Sequence, residues 1–264
     1  MTKNKKNVIT ITYSIIVVIF LGLLIFRQYP CIAYYNDEMT MKSIASGLFT
    51  GKPDGHLVYM LYPLGLILKG LYTINAKIPW FDGMLLVLQF FCWGVLIERI
   101  GKLFEKLPAA LIAQSITSVI VVIIDVTHII HPEYTILSAW LVAVGIFCFV
   151  SDGNYILSAI LILLSLWMRK QVFFMALPIL ALAVLLRLIT KKKKEEDGSR
   201  KKRYKLSKIG VFLIVLSVTS IVSLVIDSIG YGSKEWRDFR DYNEARTEVY
   251  DYYGYPFCRV NCLT

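Results

Sequence analysis

Long apolar runs separated by short polar breaks dominate the chain. They fall at 8–26, 79–97, 108–127, 134–150, 154–168, 171–187 and 209–227. Runs of about 17–20 residues can cross the hydrocarbon core of a bilayer as helices. Nothing in that core can pair with an open backbone N–H or C=O, so a chain of such runs folds as a helical bundle. The pattern predicts an all-α, polytopic transmembrane bundle of about seven spans. An eighth run, 57–73 (LVYMLYPLGLILKGLYT), is interrupted by Pro63, Gly65, Lys69 and Gly70. A lysine in mid-span is costly in lipid, while Tyr59, Tyr62 and Tyr72 suit an interface. This run is expected to lie along the membrane surface or re-enter.

Whether 57–73 crosses decides which side everything after it faces. Charge chooses between the alternatives. With seven spans and a cytoplasmic N-terminus, three basic groups share the cytoplasmic side. They are Lys3, Lys5 and Lys6, then Arg99, Lys102 and Lys106, then the run KKKKEEDGSRKKRYKLSK at 191–208. An additional crossing would export that last run, against the positive-inside rule. The expected arrangement is a single membrane domain, 1–264, in the cell membrane, with the N-terminus cytoplasmic and the C-terminus outside. Residues 27–78 then form the first outer loop, with juxtamembrane helices. Residues 191–208 form a basic cytoplasmic loop that can touch anionic lipid, and 228–264 an outer tail. The N-terminal run resembles a signal peptide, but it is too long and lacks a small-residue cleavage site, so it reads as an uncleaved first span.

Composition agrees. The chain is 56% hydrophobic, and its mean hydropathy is +0.60, which excludes an ordinary soluble domain. The net charge of +10 would suit a nucleic-acid partner. Most of it, however, is one run between two spans, where it reports orientation instead, so no nucleic acid is expected. Of the five cysteines, Cys92 and Cys148 lie inside apolar runs and read as packing residues. Cys258 and Cys262 are spaced CxxxC with no second pair, which argues against zinc. A disulfide between them stays open if that end meets an oxidising compartment.

The outer face collects the chemistry. Its first loop carries Asp37 and Glu38 in YYNDEMT, then Asp54 and His56. The second, DVTHIIHPEY, carries Asp125, His128, His131 and Glu133. The short third loop, WMRKQ, puts Arg169 and Lys170 at the membrane edge, and the tail adds alternating charge, Arg246 included. Each member has a plain reading: a cap, a snorkelling cation, a solvated helix face. Together they place carboxylates, imidazoles and a basic pair at one bilayer surface. A carboxylate there can take the proton of an acceptor hydroxyl. Arg169 and Lys170 can hold a lipid phosphate, the arginine by a bidentate fork. His131 and Glu133 are also candidates for a divalent metal. No other cofactor is implied, because no P-loop, dinucleotide fingerprint or nucleotide-sugar site is present.

The order of parts resembles the GT-C superfamily of membrane glycosyltransferases, which includes protein mannosyltransferases and aminoarabinose transferases. A first span is followed by an outer loop opening on an acidic motif, Asn36-Asp37-Glu38. A juxtamembrane stretch with Tyr62-Pro63-Leu64-Gly65 comes next. A second span ends in the basic turn Glu98-Arg99-Ile100-Gly101-Lys102, and the acidic loop His131-Pro132-Glu133 follows. The resemblance implies transfer of a sugar from a polyprenyl-phosphate donor to an extracytoplasmic acceptor in cell-envelope glycan, lipid or protein. It implies that Asp37, with Glu38 as alternative, is the catalytic base, or that Asp37 is a metal ligand. It further implies that Glu133 is the second-loop acid and Arg169 a lipid-phosphate contact. Such proteins usually continue into more spans, so a shortened member is expected. Two other classes stay open: an envelope-precursor transporter or flippase, and a non-catalytic membrane subunit. The transporter would need polar residues in mid-span, of which Gln89, Gln114 and Ser115 are the main examples.

Overall fold

The computed structural model describes residues 3–29, 37–49, 51–151, 154–196 and 208–247. Among these every regular element is a helix: α1 (Lys3–Gln28), α2 (Asp37–Ser46), α3 (Tyr62–Ile74), α4 (Trp80–Lys102) and α5 (Leu107–Ile130). Then follow α6 (Tyr134–Ser151), α7 (Tyr155–Met168), α8 (Lys170–Glu196), α9 (Lys208–Gly230) and α10 (Lys234–Thr247). Six of them, α1, α4, α5, α6, α8 and α9, are long and apolar enough to cross a membrane. Their outward faces are apolar too, with Leu23, Ile123, Met175 and Val225 exposed. That is the surface of a protein solvated by lipid.

The fifth expected span, α7, has only 14 residues. It rises about 21 Å, against a hydrocarbon core of about 30 Å. Its ends nevertheless match those of α6. Ser138, in the first turns of α6, donates from Oγ to the Ser165 carbonyl at 3.0 Å, near the end of α7. Arg169, just past α7, reaches the Tyr134 hydroxyl at the start of α6. The two helices run antiparallel over the same layer, tightened where a Cβ on Gly145 would stand 2.8 Å from Ile162. Small residues and interhelical hydrogen bonds hold membrane helices together where lipid removes the hydrophobic drive.

Contacts sort the loops to two ends of the bundle. At one end the Lys6 ammonium donates to the Phe104 carbonyl, and Arg187 donates to the Val150 carbonyl at 2.9 Å. At the other lie α2, α3 and α10. Both ends of α3 sit there: Leu61 N–H donates to the Trp167 carbonyl at 2.8 Å, Tyr62 N–H to Asp227 Oδ1 at 2.7 Å, and the Tyr72 hydroxyl accepts from Phe81 N–H at 3.1 Å. Helix α3 therefore lies across one end of the bundle and does not traverse it. The expected segment 57–73 is helical only from Tyr62. Pro63 fits the first turn of a helix, where no N–H is needed. Residues ahead of it form an irregular strap in which Val58 has a φ of 65°.

The basic segment 191–208 departs from the expected loop. It begins as helix, because α8 continues through the lysines to Glu196. Lys and Glu are good helix formers, and extending a formed helix needs no new nucleus. Helix α9 lies parallel to α7: Trp167 donates to Ser223 Oγ at 2.8 Å, and Tyr155 meets Phe212 with ring centroids 5.9 Å apart. Cys92 and Cys148 are buried and unpaired as thiols. The pair Cys258 and Cys262, and Asn36 of the acidic motif, lie outside the described residues.

Candidate functional site at the loop-bearing end

The motif that opens α2 splits into two environments. Asp37 is the first residue of the helix and half-buried, Glu38 the second and buried. Both profit from the positive end of the helix dipole. Alternating contacts hold α2 in place: Met41 and Ala45 are fully buried, and Lys42 bonds Asp82 of α4 at 2.7 Å. Glu38 Oε1 accepts from Tyr134 N–H at 3.4 Å. Burial pushes the Glu38 carboxyl above its ordinary value of 4.5, against the backbone hydrogen bonds, and the neighbouring Glu133 and Asp37 push it further. Glu133 is half-buried and caps α6, its carbonyl accepting from Leu137 N–H at 3.0 Å.

Tyr134 joins this acid group to the basic one. Its N–H faces Glu38, and its hydroxyl accepts from Arg169 Nη1. The Arg169 guanidinium also lies 5.1 Å from the Tyr134 ring centroid and 5.5 Å from that of Tyr59. The two rings stack at 6.3 Å. Cation–π contact on two rings fixes the fork in orientation, and its donors exceed the one given to Tyr134. Lys170, exposed, lines a small cavity of about 80 Å³ with Tyr59, Asp227, Tyr231 and Phe239. Asp37, Glu38, Glu133 and Arg169 are thus gathered around Tyr134, with Lys170 behind Tyr59.

Asp54 and His56 belong to a different structure. His56 Nδ1 lies 2.6 Å from Asp54 Oδ1, and Nε2 lies 3.0 Å from the Gly230 carbonyl. Each ring nitrogen thus faces an oxygen. The ring lies between Trp236, stacked at 4.4 Å, and Tyr62 at 4.6 Å. Burial acts to raise the Asp54 carboxyl, but the His56 hydrogen bonds outweigh it and hold it below the ordinary 3.8. Alongside, Val58 N–H donates to the Tyr231 hydroxyl at 3.0 Å. The left-handed backbone at Val58, unfavourable for a β-branched residue, is held there and sets the position of Tyr59. The pair therefore latches the strap to α9 and α10 and serves the site indirectly.

The second outer loop is divided as well. Asp125 is fully buried. Its Oδ2 accepts from Gln89 and from Trp93 Nε1, the latter at 2.7 Å, and Oδ1 lies 3.1 Å from His128 Nδ1. A carboxylate with this many donors clamps α4 to α5. Gln89, read from the sequence as a mid-span polar residue, is used up here. His131 ends α5, its N–H donating to the Thr127 carbonyl at 2.8 Å. Among the described residues no three His, Cys, Asp or Glu side chains converge as a metal site would, so Asp37, His131 and Glu133 do not form one. Arg246 lies in α10, and its side chain is outside the described residues. Tyr134, Tyr231 and Trp236 were not read from the sequence as site residues, and Tyr59 was read only as interfacial. No family model, curated protein or solved structure matches the chain.

Proposed function

We propose that the chain is a membrane glycosyltransferase that moves a sugar from a polyprenyl-phosphate donor to an acceptor at the outer membrane surface. What supports this most is the junction at Tyr134, whose backbone N–H meets Glu38 of α2 and whose side-chain hydroxyl meets the Arg169 fork. In this reading Asp37 is the base. It is half-buried and so reachable, whereas Glu38 is buried. Asp37 takes the proton of the acceptor hydroxyl, and the acceptor oxygen bonds to the anomeric carbon. The bond from that carbon to the phosphate oxygen breaks, and the electron pair leaves with the polyprenyl phosphate. Arg169 and Lys170 offset the charge that builds on the leaving phosphate. Glu38, held toward its neutral form, and Glu133 shape the acidic side.

Native mass spectrometry of the protein extracted in mild detergent tests the reading. Wild type is expected to carry a polyprenyl-phosphate lipid, and Arg169→Ala to lose it. Wild-type protein that carries none under these conditions, even when the lipid is added back, would sink the reading.

A further inference from the structure

Helices α7 and α9 leave an apolar groove between them, at the bundle end opposite Asp37. Its volume is about 420 Å³, and its walls include Ile156, Ala159 and Ile160 of α7 and Val211 and Val215 of α9, with Lys208 at its mouth. Small Ala159 opens it. Ile156 and Ile160 are exposed on its rim. The groove sits within the apolar layer of the bundle, so what fills it there is hydrocarbon and not water.

Charge says which hydrocarbon. Lys208 is exposed, and in sequence Arg200, Lys201, Lys202, Arg203 and Lys205 precede it, the last of them by three positions. Cations clustered at the end of a span attract anionic headgroups. The parallel course of α7 and α9 brings the positive ends of two helix dipoles to the same level as Lys208. Helix α7 has only 14 residues, about 21 Å of rise against a hydrocarbon core of about 30 Å, so lipid beside it has to thin or fill in.

We infer that this groove seats an acyl chain of an anionic bilayer phospholipid, with its phosphodiester against Lys208. The seat is separate from the Arg169 region, and it stands whether or not the chain transfers sugar.

The test is native mass spectrometry of the full chain, with phosphatidylglycerol and phosphatidylcholine supplied in equal amounts. Wild type should retain phosphatidylglycerol in preference. Lys208→Ser, at an exposed position that spares folding, should cut that preference about fivefold. Ala159→Phe fills the groove and should lose both lipids while keeping its monodisperse elution. Ile156→Trp, on the exposed rim, repeats the blockade should Ala159→Phe not fold. Arg169→Ala should leave the phospholipid in place. Equal retention of the two lipids by wild type would overturn the inference, as would undiminished binding in the folded groove variants. So would a polyprenyl phosphate, or a second copy of the chain, as the species displaced when the groove is filled.

Discussion

Asp37 and Glu38 are neighbours in the chain and opposites in the fold. Successive helical residues point about 100° apart, so one carboxyl stays partly exposed while the other is buried against the Tyr134 N–H. Asp37→Asn should lower sugar transfer by about 10²–10⁴-fold, the usual contribution of a positioned base, with expression unchanged and only a small drop in melting temperature from the lost dipole interaction. Transfer assayed with a polyprenyl-phosphate sugar checks this, and full turnover in Asp37→Asn would remove Asp37 from the mechanism. Glu38 carries a stability signature. Its folded carboxyl is raised above 4.5. The stability contributed by its protonated form is complete below pH 4.5 and is lost as pH rises through the folded value. Glu38→Gln mimics the protonated form. It should melt higher than wild type at pH 7, and the gap should close as the pH falls toward 4. The sequence supplied both acids but no sign of their difference, because burial of Glu38 depends on Tyr134, which is far away in the chain.

At the scale of elements, two devices hold the loop-bearing end. The first is the contact between α3 and the strap. A Cβ on Gly65 would stand 1.8 Å from the Gly55 carbonyl oxygen, so only glycine lets the two backbones meet. Gly65→Ala should destabilise by about 1–3 kcal/mol or more, read as a drop in melting temperature in detergent, while Gly70→Ala, with open space around it, should not. The second is the His56 latch. His56→Ala leaves Asp54 and the Gly230 carbonyl without their partner and should cost about 1–3 kcal/mol. The loss is local, so limited proteolysis should cut α10 faster in the variant, and an unchanged cleavage rate would show that the latch does not hold α10. The interruption of 57–73 by Pro and Gly was legible as a sign that it does not cross. The latch was not, since Asp54-Gly55-His56 looks like any polar loop until Gly230, Tyr231 and Trp236 close on it.

For the whole molecule the question is which loops share a side. With both ends of α3 at one end of the bundle, Lys52→Cys and Lys77→Cys should react with an impermeant thiol reagent from the same face of the membrane. Lys106→Cys, at the turn between α4 and α5, should react from the other. If the basic residues face the cytoplasm, as the positive-inside rule implies, intact cells will be labelled at 52 and 77 alone. Labelling at 52 and 77 from opposite faces would make α3 a crossing and invert every later helix.

The sequence by itself determined what depends on solvent. Apolar runs of span length specify helices in lipid, because no other structure satisfies the backbone there, and six of those helices have the length and apolarity to cross. Interrupted apolarity likewise kept 57–73 out of the count. Tertiary structure alone decided what depends on pairing across distance. It sent Asp125 into a clamp with Gln89 and Trp93, Asp54 and His56 into a latch with Gly230, and Asp37, Glu38, Glu133 and Arg169 to Tyr134. By local sequence alone, each of those side chains could have faced water. The choice was made by the partner that the packing of other helices brought within hydrogen-bond reach, and no local pattern encodes that partner.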